Sequence, residues 1–201
     1  SRSSHFPDPP ARICVIGVGG GGCNAVKRMM KTKPVPGVSY LGVNTDIKSL
    51  EQIRKAQILQ IGEGLTHGLG AGGNPEMGAQ AAELDKKALK KFISGADLIF
   101  LAAGMGGGTG TGAAPVVADI AREAGALVVA VVSTPFSFEG ARRAAAAETG
   151  VTSLRDRVDN LVVIHNDRLL QLLEDDVSMG DALRRADDAV MLGVLSVAEL
   201  I

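Results

Sequence analysis

The sequence of 201 residues has no tryptophan, and aromatic residues make up only 3 % of it. A hydrophobic core must therefore be built from Val, Ile, Leu and Ala, and hydrophobic residues at 46 % of the chain supply enough of them for one domain. An excess of charge is also missing, since the formal net charge is −1. The sequence thus shows neither the basic footprint of a nucleic-acid-binding protein nor the polybasic patch of a membrane-surface protein.

Cysteines and long apolar runs are scarce as well. The two cysteines, Cys14 and Cys23, have neither metal-ligand nor CxxC spacing, which argues against a disulfide framework and favours a reduced, cytosolic compartment. The longest apolar run, residues 126–132, has the length of a strand and falls short of the roughly 20 residues that span a bilayer. Residues 1–11 are rich in Ser and Pro without apolar rhythm, so we expect a flexible tail there.

Short apolar runs rich in β-branched residues alternate with helical patterns along the chain. Strands are predicted at residues 13–17, 40–43, 58–61, 98–102, 127–132 and 161–164. Helices are predicted at residues 24–31, 75–92, 113–124 and 140–150. Strands that are apolar on both faces and alternate with helices are typical of a covered parallel sheet. We therefore predict an α/β fold, with a Rossmann-like open parallel sheet of about six strands and helices on both faces.

The C-terminal segment has the pattern of one long amphipathic helix. Ser178 and Asp181 have the spacing of a helix cap, and apolar residues then recur every three or four positions up to Ile201. We divide the chain into a domain of residues 12–177 and a linking helix of residues 178–201. We expect the apolar stripe of this helix to be uncovered, and a second domain to follow it.

Glycine is abundant, with 26 residues, and it is clustered after predicted strands. Gly17, Gly19 and Gly22 form a G-x-G-x-x-G pattern between a strand and a helix, where backbone amides and the helix N-terminus can bind phosphate. The pattern also fits a tight turn or a dinucleotide-binding unit, and Asp46 lies near the position of the acidic residue of such a unit. An NAD(P)-dependent oxidoreductase is therefore an open alternative.

A second glycine cluster, residues 104–112, repeats the order of strand, glycines and helix and adds two threonine hydroxyls. Both clusters are expected at the carboxyl edge of the sheet, where they can bind one polyphosphate together, which argues against NAD. Neither cluster continues into Gly-Lys-Ser/Thr, so phosphate charge must be met by amides, helix dipoles and a metal ion, for which we expect Mg²⁺. A third stretch, residues 68–75, fits either a γ-phosphate contact or a mobile loop.

Residues 104–112 closely resemble the signature of the tubulin/FtsZ superfamily, and five further stretches resemble its FtsZ family. These are residues 18–24, 43–46, 68–75, 135–140 and 166–167, and the resemblance covers about residues 12–201. It implies the GTP-binding domain of a filament-forming cell-division GTPase, which binds GTP or GDP and hydrolyses GTP between adjacent subunits of a head-to-tail filament. It implies a cytoplasmic location at the mid-cell division ring, or the plastid stroma in a plant or alga. Division proteins and membrane tethers are expected to bind the part of the protein that follows this chain. We expect neither nucleic acid as a partner nor direct insertion into a membrane.

The resemblance also implies the nucleotide contacts. The first phosphate loop and a guanine contact correspond to Gly20, Gly21, Gly22 and Asn24. The loop that senses the γ-phosphate corresponds to Ala71, Gly72 and Gly73. The loop on the α- and β-phosphates corresponds to Gly106, Gly107, Gly108, Thr109 and Gly110. Contacts to ribose and phosphate correspond to Glu139 and Arg143, and contacts to the base to Asn166, Leu183 and Asp187.

Several of these positions also fit a plainer interpretation. Asp187 fits a solvated helix charge, and Glu139 and Arg143, four residues apart, fit a surface ion pair. Leu183 shares a helix face with Asp187 and stands where the family often has an aromatic residue that stacks on the base.

We predict no catalytic residue, because in the family the catalytic acids lie in a loop after the long helix. The chain is therefore expected to bind nucleotide with little turnover. A filament or scaffold domain that keeps the pocket without turnover is the remaining alternative.

Overall fold

The computed structural model describes residues 10–32, 34–173 and 176–199. Six parallel strands form one sheet in the order β3-β2-β1-β4-β5-β6. The strands are β1 (Ile13–Val18), β2 (Val38–Asn44), β3 (Gln57–Gln60), β4 (Leu98–Gly104), β5 (Leu127–Thr134) and β6 (Asn160–His165). The predicted α/β fold with about six parallel strands is confirmed. Most of the predicted flexible tail lies outside the described residues.

Nine α-helices and a short 3₁₀ helix at Ser137–Glu139 lie between and after these strands within the described residues. The α-helices are α1 (Gly19–Thr32), α2 (Ile47–Glu51), α3 (Glu63–Thr66), α4 (Pro75–Leu84), α5 (Lys86–Ile93), α6 (Thr109–Glu123), α7 (Ala141–Arg155), α8 (Asn166–Leu172) and α9 (Met179–Ala198). The helix predicted at residues 75–92 is wrong as a single element, because Asp85 separates α4 from α5. The Asp85 carboxylate accepts the N–H of Gly62 at 2.6 Å, a distant contact that no local pattern indicates.

The sheet carries a hydrophobic core on each face. Successive side chains of a strand point to opposite faces, and in β1 the Ile16 side chain packs on one side while Val15 packs on the other. Ile16 joins the core under α4, α5, α6 and α7. Val15 joins the core under α1 and α9. The prediction of helices on both faces is therefore confirmed.

Helix α9 begins where the sequence predicts it. The Ser178 hydroxyl accepts the backbone N–H of Asp181 at 3.1 Å, so the predicted cap is present. Val190, Met191 and Val194 are buried against α1 and the sheet, and Ala182 and Ala186 are buried against Phe136 and α8. The expectation of an uncovered apolar stripe is thus wrong for the described part of α9, because the domain itself covers most of it.

Two helices begin earlier than predicted, within the glycine clusters. Helix α1 begins at Gly19 and helix α6 at Thr109, whereas their predicted starts were residues 24 and 113. Gly19 has φ of 73°, and a Cβ on it would lie 2.5 Å from the backbone nitrogen of Gly110. Glycine therefore allows the first turns of the two helices to touch. None of the described helices has both the length and the hydropathy needed to cross a membrane.

Candidate functional site

A cavity of about 500 Å³ opens at the carboxyl edge of the sheet. This volume lies within the usual range for small-molecule sites, and the edge is where open α/β sheets bind ligands. The predicted site residues that line it are Gly20, Gly21, Asn24, Ala71, Gly73, Gly107, Gly108, Thr109, Gly110, Glu139, Arg143, Asn166, Leu183 and Asp187. The structure therefore brings together residues from six separate parts of the chain.

Three predicted site residues do not line the cavity. Gly22 is buried, and a Cβ on it would overlap the carbonyl oxygen of Ala102 in β4, so this glycine lets α1 pack closely on the sheet. Gly106 donates its N–H to the Thr111 hydroxyl at 2.8 Å, which occupies that amide inside the loop. Gly72 has φ of 60° and lies beside the lining residues Ala71 and Gly73.

The N-termini of α1 and α6 meet at the base of the cavity. Gly20 belongs to the first turn of α1, and a Cβ there would have no atom within 4 Å. Thr109 and Gly110 form the first turn of α6. The first amides of a helix have no partner within the helix and carry the positive end of its dipole. Two such ends side by side are suited to bind a phosphate chain.

The end of β2 supplies cavity residues that the sequence did not predict as site residues. The Thr45 hydroxyl lies 2.6 Å from the Thr109 hydroxyl, and Asn44 Oδ1 accepts the N–H of Thr45 at 2.8 Å. Asp46 caps α2 by accepting the Ser49 backbone N–H at 3.2 Å, and it also accepts the Ser49 hydroxyl at 2.9 Å. All of these residues line the cavity. Residues 43–46 resemble the FtsZ family in sequence and lie at the carboxyl end of a strand, but neither signal assigned them a contact in the site.

The third glycine stretch is fixed beside the same strand end. Asp46 and Leu69 form an antiparallel bridge, and the Ile47 N–H donates to the Gly68 carbonyl at 3.3 Å. These contacts place Ala71 and Gly73 in the cavity wall.

Glu139 and Arg143 form an ion pair within the cavity wall. Glu139 Oε1 accepts Arg143 Nη1 at 2.7 Å, and Oε2 accepts the N–H of Phe136 at 2.7 Å. The Glu139 side chain is mostly buried, whereas half of the Arg143 side chain is exposed. Beside them, hydrogen bonds from Ser137 lower the pKa of Asp167 and tie this turn to the start of α8.

Two hydrogen-bond acceptors face the other end of the cavity. The Asn166 side-chain oxygen is buried and has no hydrogen-bond partner among the described residues. Burial raises the pKa of Asp187 to about 6, and a hydrogen bond from Asn24 partly opposes this shift. Buried acceptors are normally satisfied, so an unpaired one in a cavity wall indicates a ligand that donates hydrogen bonds.

Leu183 lies one helical turn before Asp187 and is 43 % exposed, so it offers an apolar surface beside these acceptors. Amide donors at one end and acceptors beside an apolar surface at the other suit a nucleotide. The described residues include no cluster of three or more His, Cys, Asp or Glu side chains that could hold a metal ion.

A model of the Tubulin/FtsZ family, GTPase domain, matches residues 12–174. The chain belongs to the Tubulin/FtsZ family. It is 51 % identical over 191 residues to the cell division protein FtsZ of Buchnera aphidicola subsp. Acyrthosiphon pisum (strain APS), covering 95 % of this chain and 50 % of that protein. The FtsZ of Wigglesworthia glossinidia brevipalpis is 50 % identical with the same coverage. The chain spans about half the length of the curated relatives it matches.

Solved members of the family have the same fold. An empty FtsZ dimer from M. jannaschii superposes with a TM-score of 0.92 at 40 % identity, over 96 % of this chain and 56 % of that one. CetZ2 from Haloferax volcanii, solved as a protofilament with GTPγS bound, gives a TM-score of 0.79 at 26 % identity over 92 % of this chain and 57 % of that one. The cavity described above thus belongs to the GTPase domain of this family.

Proposed function

We propose that the chain binds GDP and GTP in this cavity, with the phosphates at the helix N-termini and the base beside α9. The observation that carries the proposal is the unpaired buried oxygen of Asn166 in the same cavity as Asp187. A carboxylate and an amide oxygen together require a ligand edge rich in donors. Guanine has such an edge, since its N1–H and N2 amino group lie side by side.

The acceptor pair favours guanine over adenine. The Asp187 carboxylate can accept both guanine donors, whereas adenine would direct its N1 lone pair at the same carboxylate. A site that hydrogen-bonds a ligand discriminates strongly against an analogue that leaves its polar groups unpaired. Leu183 contacts the base plane without offering an aromatic face, so we expect apolar packing there.

The phosphates are held without a P-loop lysine. We assign them to backbone amides of Gly20 and Gly21 in α1, to the amides of residues 107–110, and to the Thr109 hydroxyl. Arg143 is the cavity's cationic side chain in the described residues and lies at the rim. Phosphate oxygens and water would supply most ligands of a bound Mg²⁺, which suits the preference of this ion for few protein ligands. A bound Mg²⁺ would offset part of the negative charge of the phosphates.

The whole protein is proposed to hydrolyse GTP between subunits of a head-to-tail filament. Leu69, Phe138 and Met179 are 81 %, 42 % and 63 % exposed, and each lies on a segment that borders the cavity. Such an apolar rim fits a contact that covers the nucleotide with the next subunit. A heterologous contact of this kind extends into filaments instead of closing.

The names of the relatives support a role in cell division. We propose a cytoplasmic location at the division ring, with division proteins and membrane tethers as further partners of the whole protein. Nothing in the comparisons supports the plastid alternative.

Calorimetric titration of the nucleotide-free chain with GDP, ADP and NADH tests the ligand class. We expect GDP to bind at least 100-fold more tightly than ADP or NADH, on the scale of discrimination by buried polar groups. Mass spectrometry of the nucleotide released from the freshly purified chain is the companion measurement, with GDP or GTP as the expected species. Equal affinities for GDP and ADP would rule out base reading by Asn166 and Asp187.

A further inference from the structure

Helices α1 and α9 contact each other along a row of side chains beside the cavity. Residues spaced by four share one face of a helix, and three such residues of α1 contact α9. In chain order along α1, the first contact is a hydrogen bond to Asp187 that lowers its pKa. The second is an ion pair, and the third is a hydroxyl–sulfur contact of 3.7 Å. The pairs are Asn24 with Asp187, Arg28 with Asp188, and Thr32 with Met191.

The ion pair is the strongest contact of the row. Arg28 directs Nε and Nη2 at the same oxygen of Asp188, Oδ1, at 2.8 and 2.7 Å. Charge-assisted hydrogen bonds of this length are stronger than neutral ones. Asp188 directly follows Asp187, so Arg28 binds the carboxylate next to the one that faces the cavity.

We propose that Arg28 is a positioning residue for guanine recognition, holding Asp188 so that Asp187 faces the cavity as a charged acceptor. The inference rests on the proposed function, since it concerns how the same site reads its base. Arg28 itself does not line the cavity. It acts through the α1–α9 contact and through its charge.

Three other charged groups around Asp187, namely Arg184, Arg143 and Asp46, have partners of their own. Arg184 pairs with Asp181 on the exposed side of α9, and Arg143 pairs with Glu139 across the cavity. Asp46, also across the cavity, accepts hydrogen bonds from Ser49. Arg185 and Asp176 line a surface cleft with Arg28 and Asp188.

Burial is the largest cause of the raised pKa of Asp187. The neighbouring charge of Asp188 raises it further, whereas Arg28 lowers it. The two members of the ion pair therefore shift the pKa of Asp187 in opposite directions.

The test measures the affinity for GDP between pH 5 and 8 by calorimetry in the variants Arg28→Gln and Asp188→Asn. Both variants break the same ion pair. Affinity for GDP should fall as acid neutralises Asp187. In Arg28→Gln we expect the midpoint of this fall to move up by about half a pH unit, which makes binding roughly threefold weaker than in the wild type on the acidic side. In Asp188→Asn we expect it to move down. Because each variant is compared with the wild type, the titration of GDP itself cancels.

The double variant and a distant ion pair provide the controls. Arg28→Gln combined with Asp188→Asn should return the midpoint towards that of the wild type. Arg157→Gln breaks a matched pair, since Arg157 bonds Asp119 at 3.0 Å and is 40 % exposed, against 41 % for Arg28. Arg157→Gln should leave the midpoint unchanged, and Arg28→Lys should keep it close to the wild-type value.

Unchanged affinity for GDP at pH 8 in both single variants would overturn the positioning role, because both break the ion pair. Midpoint shifts of the same sign, or no shift in either, would overturn the action of Arg28 through its charge. Should Arg28→Gln fail to fold, Asp188→Asn still decides, because an upward or absent shift there is contrary to the proposal. A failure of the proposed function looks different: the wild-type chain would bind GDP no better than ADP at any pH.

Discussion

The hydroxyl oxygens of Thr45 and Thr109 lie 2.6 Å apart inside the cavity. This contact joins the end of β2 to the first turn of α6, so two loops that are 64 residues apart in the chain hold each other at the phosphate end. One hydroxyl must donate to the other, which leaves the remaining hydroxyl proton free to point at a ligand. Either oxygen can be the donor of this contact, and when Thr45 donates, the free proton is that of Thr109.

Replacing Thr45 with Val removes this hydroxyl while keeping the shape of the side chain. We expect the affinity for GDP to fall about five- to tenfold, since a net hydrogen bond contributes on the order of 1 kcal/mol. Thr45→Ser should retain most of the affinity. The measurement is calorimetry of both variants with GDP, and an unchanged affinity in Thr45→Val would show that the pair does not orient Thr109.

Gly20 and Gly22 are predicted to respond differently to alanine. A Cβ at Gly20 meets no atom and lies in the cavity, so Gly20→Ala should fold normally and weaken nucleotide binding at least tenfold. A Cβ at Gly22 would overlap the Ala102 carbonyl, so Gly22→Ala should lower the free energy of unfolding by roughly 3 kcal/mol or more. Urea unfolding without nucleotide and GDP titration separate the two effects. A stability loss in Gly20→Ala with intact binding would contradict the assignment.

Asp187→Asn should stabilise the nucleotide-free chain at neutral pH. The pKa of this carboxyl is 3.8 without perturbation and about 6 in the fold, so the charged form destabilises the folded chain relative to the neutral form. The resulting penalty is absent below about pH 4, grows between the two values and is complete above about pH 6. We expect a gain on the order of 1 kcal/mol at pH 7.5, reduced by solvent screening of this half-buried group.

The gain from Asp187→Asn should shrink towards zero at pH 4.5, while the affinity for GDP at pH 7.5 falls about tenfold or more. Asp181→Asn is the matched control on the same helix. The pKa of Asp181 is lowered, mainly by its hydrogen bond with Ser178, so this variant should destabilise the chain at neutral pH. Urea unfolding at the two pH values measures both. Equal effects of Asp187→Asn at pH 4.5 and 7.5 would mean that the charge of Asp187 costs nothing.

The chain is expected to bind GTP and hydrolyse it slowly, because the proposed reaction needs a contact with a second subunit. Phosphate release should be close to the rate of GTP alone in dilute solution. The measurement is phosphate release at several chain concentrations with Mg²⁺ present. Rapid hydrolysis at a rate per molecule that does not depend on concentration would contradict the account.

The class of fold was predictable because strand and helix periodicities differ in the sequence. The starts of α1 and α6 were not, since runs of glycine indicate loops by local propensity. Packing of Gly19 against Gly110 and of Gly22 against Ala102 favours helix there instead. The covering of α9 was likewise unpredictable, because its stripe shows which residues are buried and not which element buries them.

The site was predictable where glycines or the family motifs mark it. Ser133 lines the cavity without any such mark, because only the strand order brings the end of β5 to this edge beside the other loops. That order is also the one found in dinucleotide-binding folds, so topology alone does not exclude the NAD(P) alternative. The contact between the two glycine turns and the membership of the Tubulin/FtsZ family argue against it.

The most direct test of the account is a crystal structure of the chain grown with GDP. We predict phosphates on the amides of Gly20, Gly21 and residues 107–110, with the guanine edge within hydrogen-bond distance of Asn166 and Asp187. A base placed away from α9, or phosphates that contact only one of the two glycine turns, would contradict it.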